Sequence, residues 1–165
     1  MRDEEKNPVA AGDTNLSLEA LGRLPFSIVI TNPSIEDNPI TYVNHAFEIV
    51  TGYSRDAVIG RNCRFLQGEE TDPKSIETLA TAIRERKQCT VDLQNYTAMG
   101  QPFMNRLMIA PLSEDAETIP HFLGVQLAID SEESKAFIDE RHREIDRAMS
   151  ELQHRVKNHL ALVVG

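Results

Sequence analysis

Two short strand patterns stand ahead of a broken helical stretch in this chain, and three longer ones stand behind it. Residues 26–31 (FSIVIT) and 40–43 (ITYV) are apolar or alternating and are separated by a Pro/Asn/Asp turn, the signature of two strands. From Asn44 to Arg86 the pattern becomes helical and interrupted. A short helix runs to Val50, Thr51-Gly52-Tyr53 makes a turn, a cysteine-bearing segment follows, and then comes a longer helix. That last helix has a clear start, with Asp72 able to cap it and Pro73 suited to its first position. Residues 90–97, 102–112 and 119–129 then read as strands, joined by turns at Ala98-Met99-Gly100 and at 113–116. Strands before and after a helical block predict an α+β fold with a five-stranded antiparallel sheet.

The 165 residues suit one such domain plus appendages. Residues 1–15 are polar and breaker-rich and read as a flexible tail. Leu16, Leu18, Leu21 and Leu24 predict a short cap helix over 16–25, started by Asn15 or Ser17 and stopped by Pro25. The folded domain then covers 26–130, and 131–165 forms a C-terminal helix. Seventeen basic against 26 acidic residues give a net charge of −9, which disfavours nucleic acid and anionic membranes as partners. Cys63 and Cys89 form no CxxC pair, so neither a disulfide framework nor a metal site is expected. No apolar run reaches membrane-spanning length and the first residues are too polar for a signal peptide, so the expected location is the cytoplasm. With no Trp, visible absorption would have to come from a bound cofactor.

The run Gly60 to Gly68, GRNCRFLQG, carries the most chemistry. Cys63 could be a small core thiol, the usual role of a free cysteine. Its neighbours Asn62, Arg64 and Gln67 argue instead for a polar pocket, whereas Cys89 lacks such flanks and reads as a plain thiol. The run resembles the signature of LOV (light-oxygen-voltage) photosensors, the flavin-binding branch of the PAS superfamily, and the match extends without gaps from Val29 to Gln126. The resemblance implies bound FMN, with riboflavin or FAD as possible substitutes, and a reversible light-driven bond from Cys63 to the flavin C4a. It places Asn95, Asn105 and Gln126 on the polar edge of the flavin ring, where amides offer the donor and acceptor together that such an edge needs. Asn62 and Gln67 would hold the ribityl chain and Arg64 the phosphate. Val29, Thr31, Asn38, Phe47, Leu66, Ile83, Leu93, Leu107, Ile109 and Gly124 would line the ring. Many relatives carry a second phosphate-binding arginine where this chain has Ala80, with Arg84 one helical turn further on.

From Ser131 the composition shifts to a charged amphipathic helix. Asp130 and Ser131 are its candidate caps, and Glu132 and Glu133 suit its positive end. Ile138, Ile145, Leu152 and His159 form one column of a heptad seam, and His142, Met149, Val156 and Val163 the other, which predicts a coiled coil and a homodimer. His154 falls off that seam at an exposed position, flanked by Arg155, Lys157 and Asn158. The HRxKN run resembles the phosphoacceptor box of HWE-type histidine kinases, which makes His154 a candidate phosphoacceptor and a response regulator a candidate partner. The chain then reads as a blue-light sensor that controls histidine autophosphorylation through Gln126 and the C-terminal helix. The alternative is a short photoreceptor signalling by dimer rearrangement alone. Without an ATP-binding domain the chain would not be an active kinase by itself.

Overall fold

The computed structural model describes residues 26–112, 121–140 and positions 143, 146, 147, 150, 151 and 154. The expected cap helix at 16–25, the turn at 113–116 and most of the heptad seam lie outside them. Five antiparallel strands form one sheet: β1 (Ser27–Thr31), β2 (Ile40–Val43), β3 (Cys89–Tyr96), β4 (Pro102–Pro111) and β5 (Phe122–Ala128). Their spatial order is β2-β1-β5-β4-β3, so the last strand of the chain occupies the centre. The helical block between β2 and β3 contains α1 (His45–Thr51), α2 (Arg55–Val58), a 3-10 turn (Cys63–Leu66) and α3 (Pro73–Glu85), and α4 (Glu132–Glu140) follows β5. The predicted α+β fold is the observed one. The sequence reading missed the one-turn α2 and did not foresee that the cysteine segment winds as 3-10.

Local chemistry explains where the helices start and stop. The buried Asn44 side chain accepts from Phe47 N–H at 3.1 Å, capping α1, and from Ile28 N–H at 2.8 Å, which ties that helix end to β1. Gly52 closes α1 at φ 74°, a left-handed geometry that glycine takes without a Cβ clash. Asp72 caps α3 through Lys74 N–H, with Pro73 in the first turn as expected. At α4 the Ser131 hydroxyl accepts from Ser134 N–H at 3.0 Å. Asp130, the other candidate cap, instead accepts from Met104 N–H of β4 at 2.7 Å.

Both faces of the sheet are covered. On one face Ile28, Ile30, Met108, Ala110, Leu123, Val125 and Leu127 pack into a single cluster that includes Ile138 of α4. The face toward the helical block carries two separate clusters. Val29, Ile40, Val43, Phe47, Val58 and Leu66 make one, and Ala82, Val91, Leu93, Leu107, Ile109 and Phe122 make the other. The strand register shows why the core divides. Across the sheet, Val29, Gly124 and Ile109 lie in one row and Ser27, Gln126 and Leu107 in the next. At the middle of both rows the central strand presents a glycine or an amide, so no apolar side chain bridges the two clusters.

Candidate functional site

The divided core frames the site. Asn95, Asn105 and Gln126 come from β3, β4 and β5 respectively, and all three are almost wholly buried, at 3, 0 and 3% exposure. Asn105 donates from Nδ2 to Asn95 Oδ1 at 2.9 Å, and Asn95 donates to the Gln94 carbonyl at 3.2 Å. Ser27 donates its hydroxyl to Gln126 Oε1 at 3.0 Å, which leaves the NH2 end of that amide to serve an acceptor. Asn105 Oδ1 has no hydrogen-bond partner although it is buried, and neither has Asn38 Oδ1. A buried unpaired carbonyl oxygen costs on the order of 1–3 kcal/mol, and most buried polar atoms avoid it. A buried carbonyl oxygen left without a donor, where the core divides into two clusters, fits a donor supplied by a ligand.

Gly124 lies in the same region. A Cβ built there would stand 2.8 Å from Val29 Cγ1 and 3.5 Å from Leu107 Cδ1, and a β-branched side chain in a strand has little freedom to yield. The expected lining residues Phe47, Leu66, Leu93, Leu107 and Ile109 are buried, with Thr31 beside them, while Ile83 and Asn38 are half-buried. Leu66 falls in the first cluster and Ile83 borders the second, so the expected lining set draws on both clusters.

Cys63 opens the 3-10 turn and packs against the first cluster with Tyr53 and Phe65. Asn62 caps that turn by accepting from Arg64 N–H at 2.9 Å. Phe65 is held edge-on by Tyr53 at 4.9 Å between ring centres and covered by the Arg61 guanidinium at 4.3 Å. The sequence reading expected a polar setting for Cys63 and the structure gives it an apolar one. Burial pushes its thiol up to about 12, outweighing a hydrogen bond from backbone and the Arg64 charge, which pull it down. Cys63 is therefore a neutral thiol at ordinary pH, not a thiolate. Cys89 is half-buried at the rim of the second cluster.

The other end of the site is an open cleft of about 450 Å³, lined by residues 33–38, Asn62, Arg64, Ala80 and Ile83. Arg64 makes a two-pronged ion pair across it with Asp37, at 2.6 and 2.9 Å, and Asn62 Nδ2 donates to the Asp37 carbonyl at 2.7 Å. Arg64 and Asn62 thus already have protein partners, and Asp37 was missed from the sequence. Gln67 is half-buried directly after the turn. Arg84 bonds Thr81 at 3.2 Å and is not among the residues lining the cleft.

On the opposite face Arg106 of β4, only 16% exposed, bridges two carboxylates. It meets Asp92 of β3 at 2.9 and 3.2 Å and Asp139 of α4 at 2.7 Å. With Ile138 buried beneath it, α4 is fastened to the sheet by one apolar and one ionic contact. The first position of the heptad seam is therefore used within the chain. His154 is helical and exposed, as are Arg143, Asp146, Arg147, Ser150 and Glu151, all of them off the seam. Among the described residues no helix is long and apolar enough to cross a membrane.

Known proteins share this architecture. The profile of the PAS domain family matches residues 25–127. Blue-light-activated histidine kinase 2 of Erythrobacter litoralis is 48% identical over 157 residues, covering 95% of this chain and 44% of its own. A blue-light-activated histidine kinase of Brucella anthropi is 38% identical over 159 residues, covering 93% and 31%. The chain thus spans less than half the length of either relative. The solved LOV domain of the Erythrobacter litoralis EL346 blue-light activated histidine kinase superposes with a TM-score of 0.64 at 49% identity, over 66% of this chain and all of that one. With the family profile matching residues 25–127 and a LOV domain superposing over its whole length at 49% identity, the chain belongs to the PAS domain family and, within it, to the LOV domains.

Proposed function

We propose that this chain is the sensory part of a blue-light-activated histidine kinase, with a flavin, FMN in the first instance, in the gap between the two apolar clusters. The observation that carries this reading is Asn105 Oδ1, buried and unpartnered among buried amides of three neighbouring strands. Asn95, Asn105 and Gln126 would satisfy the polar edge of the ring, and Val29, Leu93, Leu107, Ile109 and Leu66 would hold its faces. Asn62 and Gln67 would take the ribityl chain, Asn38 would line the ring, and Arg64 would take the phosphate. When bound, a flavin would supply a blue-absorbing ring able to accept the sulfur and the proton of a thiol reversibly, and Cys63 would be the residue that offers both.

The chain's own part is to hold a neutral thiol, whose proton is available for transfer, half-buried against an apolar cluster. Gln126 gives the signal a route. Its NH2 end serves an acceptor while Ser27 holds Oε1, and a new donor on the ring favours the opposite orientation. A Ser hydroxyl both donates and accepts, so Ser27 can follow that turn. Gln126 lies on the strand that leads into α4, and α4 would carry the change toward His154 as phosphoacceptor. In this reading residues 26–130 form the sensor and 131–165 the output helix. A homodimer would use the seam beyond Ile138, and a response regulator would receive the phosphate.

Flavin released by denaturation tests the reading. The native chain should release about one flavin per protein. Asn105→Ala should release well under half as much while keeping its far-ultraviolet circular dichroism, since the variant loses the ligand-facing oxygen and frees Asn95. A native chain without flavin would remove the proposal.

A further inference from the structure

The segment that leaves the cysteine turn is fastened to the sheet by the side chain of Thr71, which is only 5% exposed. Gly68 N–H donates to Thr71 Oγ1 at 3.0 Å, and that hydroxyl donates to the Gln94 carbonyl of β3 at 2.6 Å. The same carbonyl accepts from the Asn95 side chain at 3.2 Å, and Asn95 Oδ1 in turn accepts from Asn105. β3 is the edge strand of the sheet, which leaves its outer side open to such side-chain bonds. Gln67 N–H donates to the Arg64 carbonyl at 2.9 Å, so Gln67 belongs to the cysteine turn. Tyr96 lies over the same segment. Its hydroxyl accepts from Glu70 N–H at 3.2 Å, and its ring is so close to Gly68 that a Cβ there would collide with it. Thr71 thereby bridges the residue directly after Gln67 and the residue directly before Asn95.

We propose that Thr71 is a positioning residue for the flavin site, its hydroxyl holding Gln67 and Asn95 in register with each other. The inference rests on the flavin reading above, in which those two residues would meet different parts of the ligand, the ribityl chain and the polar edge of the ring. They come from different elements, the cysteine turn and the edge strand, so their spacing depends on what ties the two together. The tie must accept from one backbone and donate to another, which a hydroxyl can do at once. The β-branch of threonine limits χ1 and keeps that hydroxyl aimed at the Gln94 carbonyl. Without the hydroxyl, Gly68 N–H loses its acceptor, the Gln94 carbonyl loses a donor, and the segment is free to shift against β3. A flavin must then order both side chains as it binds, and that cost appears as weaker affinity.

Thr71→Val keeps the shape and the β-branch and removes the hydroxyl, and Thr71→Ser gives the hydroxyl back. In dark titration of flavin-stripped protein with FMN, Thr71→Val should bind about tenfold more weakly than the native chain, and Thr71→Ser within about twofold of it. In the flavin-free protein, the NMR resonances of the Asn95 side-chain NH2 should move in Thr71→Val and stay in place in Thr71→Ser. Ile138→Ala removes an apolar anchor on the opposite face of the sheet. It should lower the melting temperature and leave FMN affinity at the native value, which separates positioning from loss of stability. Native affinity in Thr71→Val, unmoved Asn95 resonances, a Thr71→Ser as weak as Thr71→Val, or an equal loss in Ile138→Ala would each overturn the role while flavin binding stands. If the native chain binds no flavin, the flavin reading itself falls, and this inference with it.

Discussion

At the scale of single residues, Cys63 combines a polar sequence neighbourhood with an apolar structural one. Asn62 and Arg64 point along the turn and into the cleft, while the sulfur sits with Tyr53, Phe65 and the first cluster. A thiol raised from its ordinary 9.0 to about 12 by burial favours folding only while it is protonated. That contribution is complete below about pH 9 and is lost as pH rises toward 12, where the unfolded chain ionises first. Melting temperature should therefore fall more steeply between pH 9 and 11 in the native chain than in Cys63→Ala, as followed by circular dichroism; parallel curves would mean the thiol is not desolvated. Individual residues were unevenly legible in the sequence. The three strand amides could be located only through the family resemblance, because each alone reads as an ordinary surface-facing polar residue of a strand such as β3, which also carries Asp92 and Gln94. Asp37 could not, because an acid in a Pro/Asn turn looks like any solvated loop residue until the fold brings it across from Arg64. Ser27 was hidden for a similar reason, its partner Gln126 being 99 positions away.

Among the elements, α4 is the one whose packing the sequence described least well. Its heptad pattern suggested a face awaiting another helix, yet Ile138 is buried against the sheet and Asp139 is held by Arg106. Periodicity reports that a stripe is to be covered and does not identify the cover. The Asp92–Arg106 cross-strand pair was equally invisible, since its register depends on how β3 and β4 align. Arg106 is mostly buried between two carboxylates, and replacing it leaves both without their cation. Both carboxylates are exposed and rehydrate, so Arg106→Gln should lower stability by only about 1 kcal/mol or less. It should also speed hydrogen exchange over 132–140 while leaving flavin content at the native level. Unchanged exchange there would show that Ile138 alone holds the helix.

For the molecule as a whole, the order of strands and helices was readable from sequence, because each switch between alternating and helical patterning is marked by a cap or turn residue such as Asn44, Gly52 or Asp72. The divided core was not readable, because it arises from β5 inserting between β1 and β4 and presenting Gly124 and Gln126 at the centre of the sheet. That division links the parts of the account: amides and cysteine on one face, α4 and Arg106 on the other, and one central strand shared by both. The most direct test is the absorption spectrum of the native chain and of Cys63→Ala, in the dark and after blue light. The native chain should be yellow, lose its blue absorption on illumination and regain it in the dark, while Cys63→Ala should be equally yellow and show no such loss and recovery. A colourless native chain, or bleaching and recovery that persist in Cys63→Ala, would contradict the account.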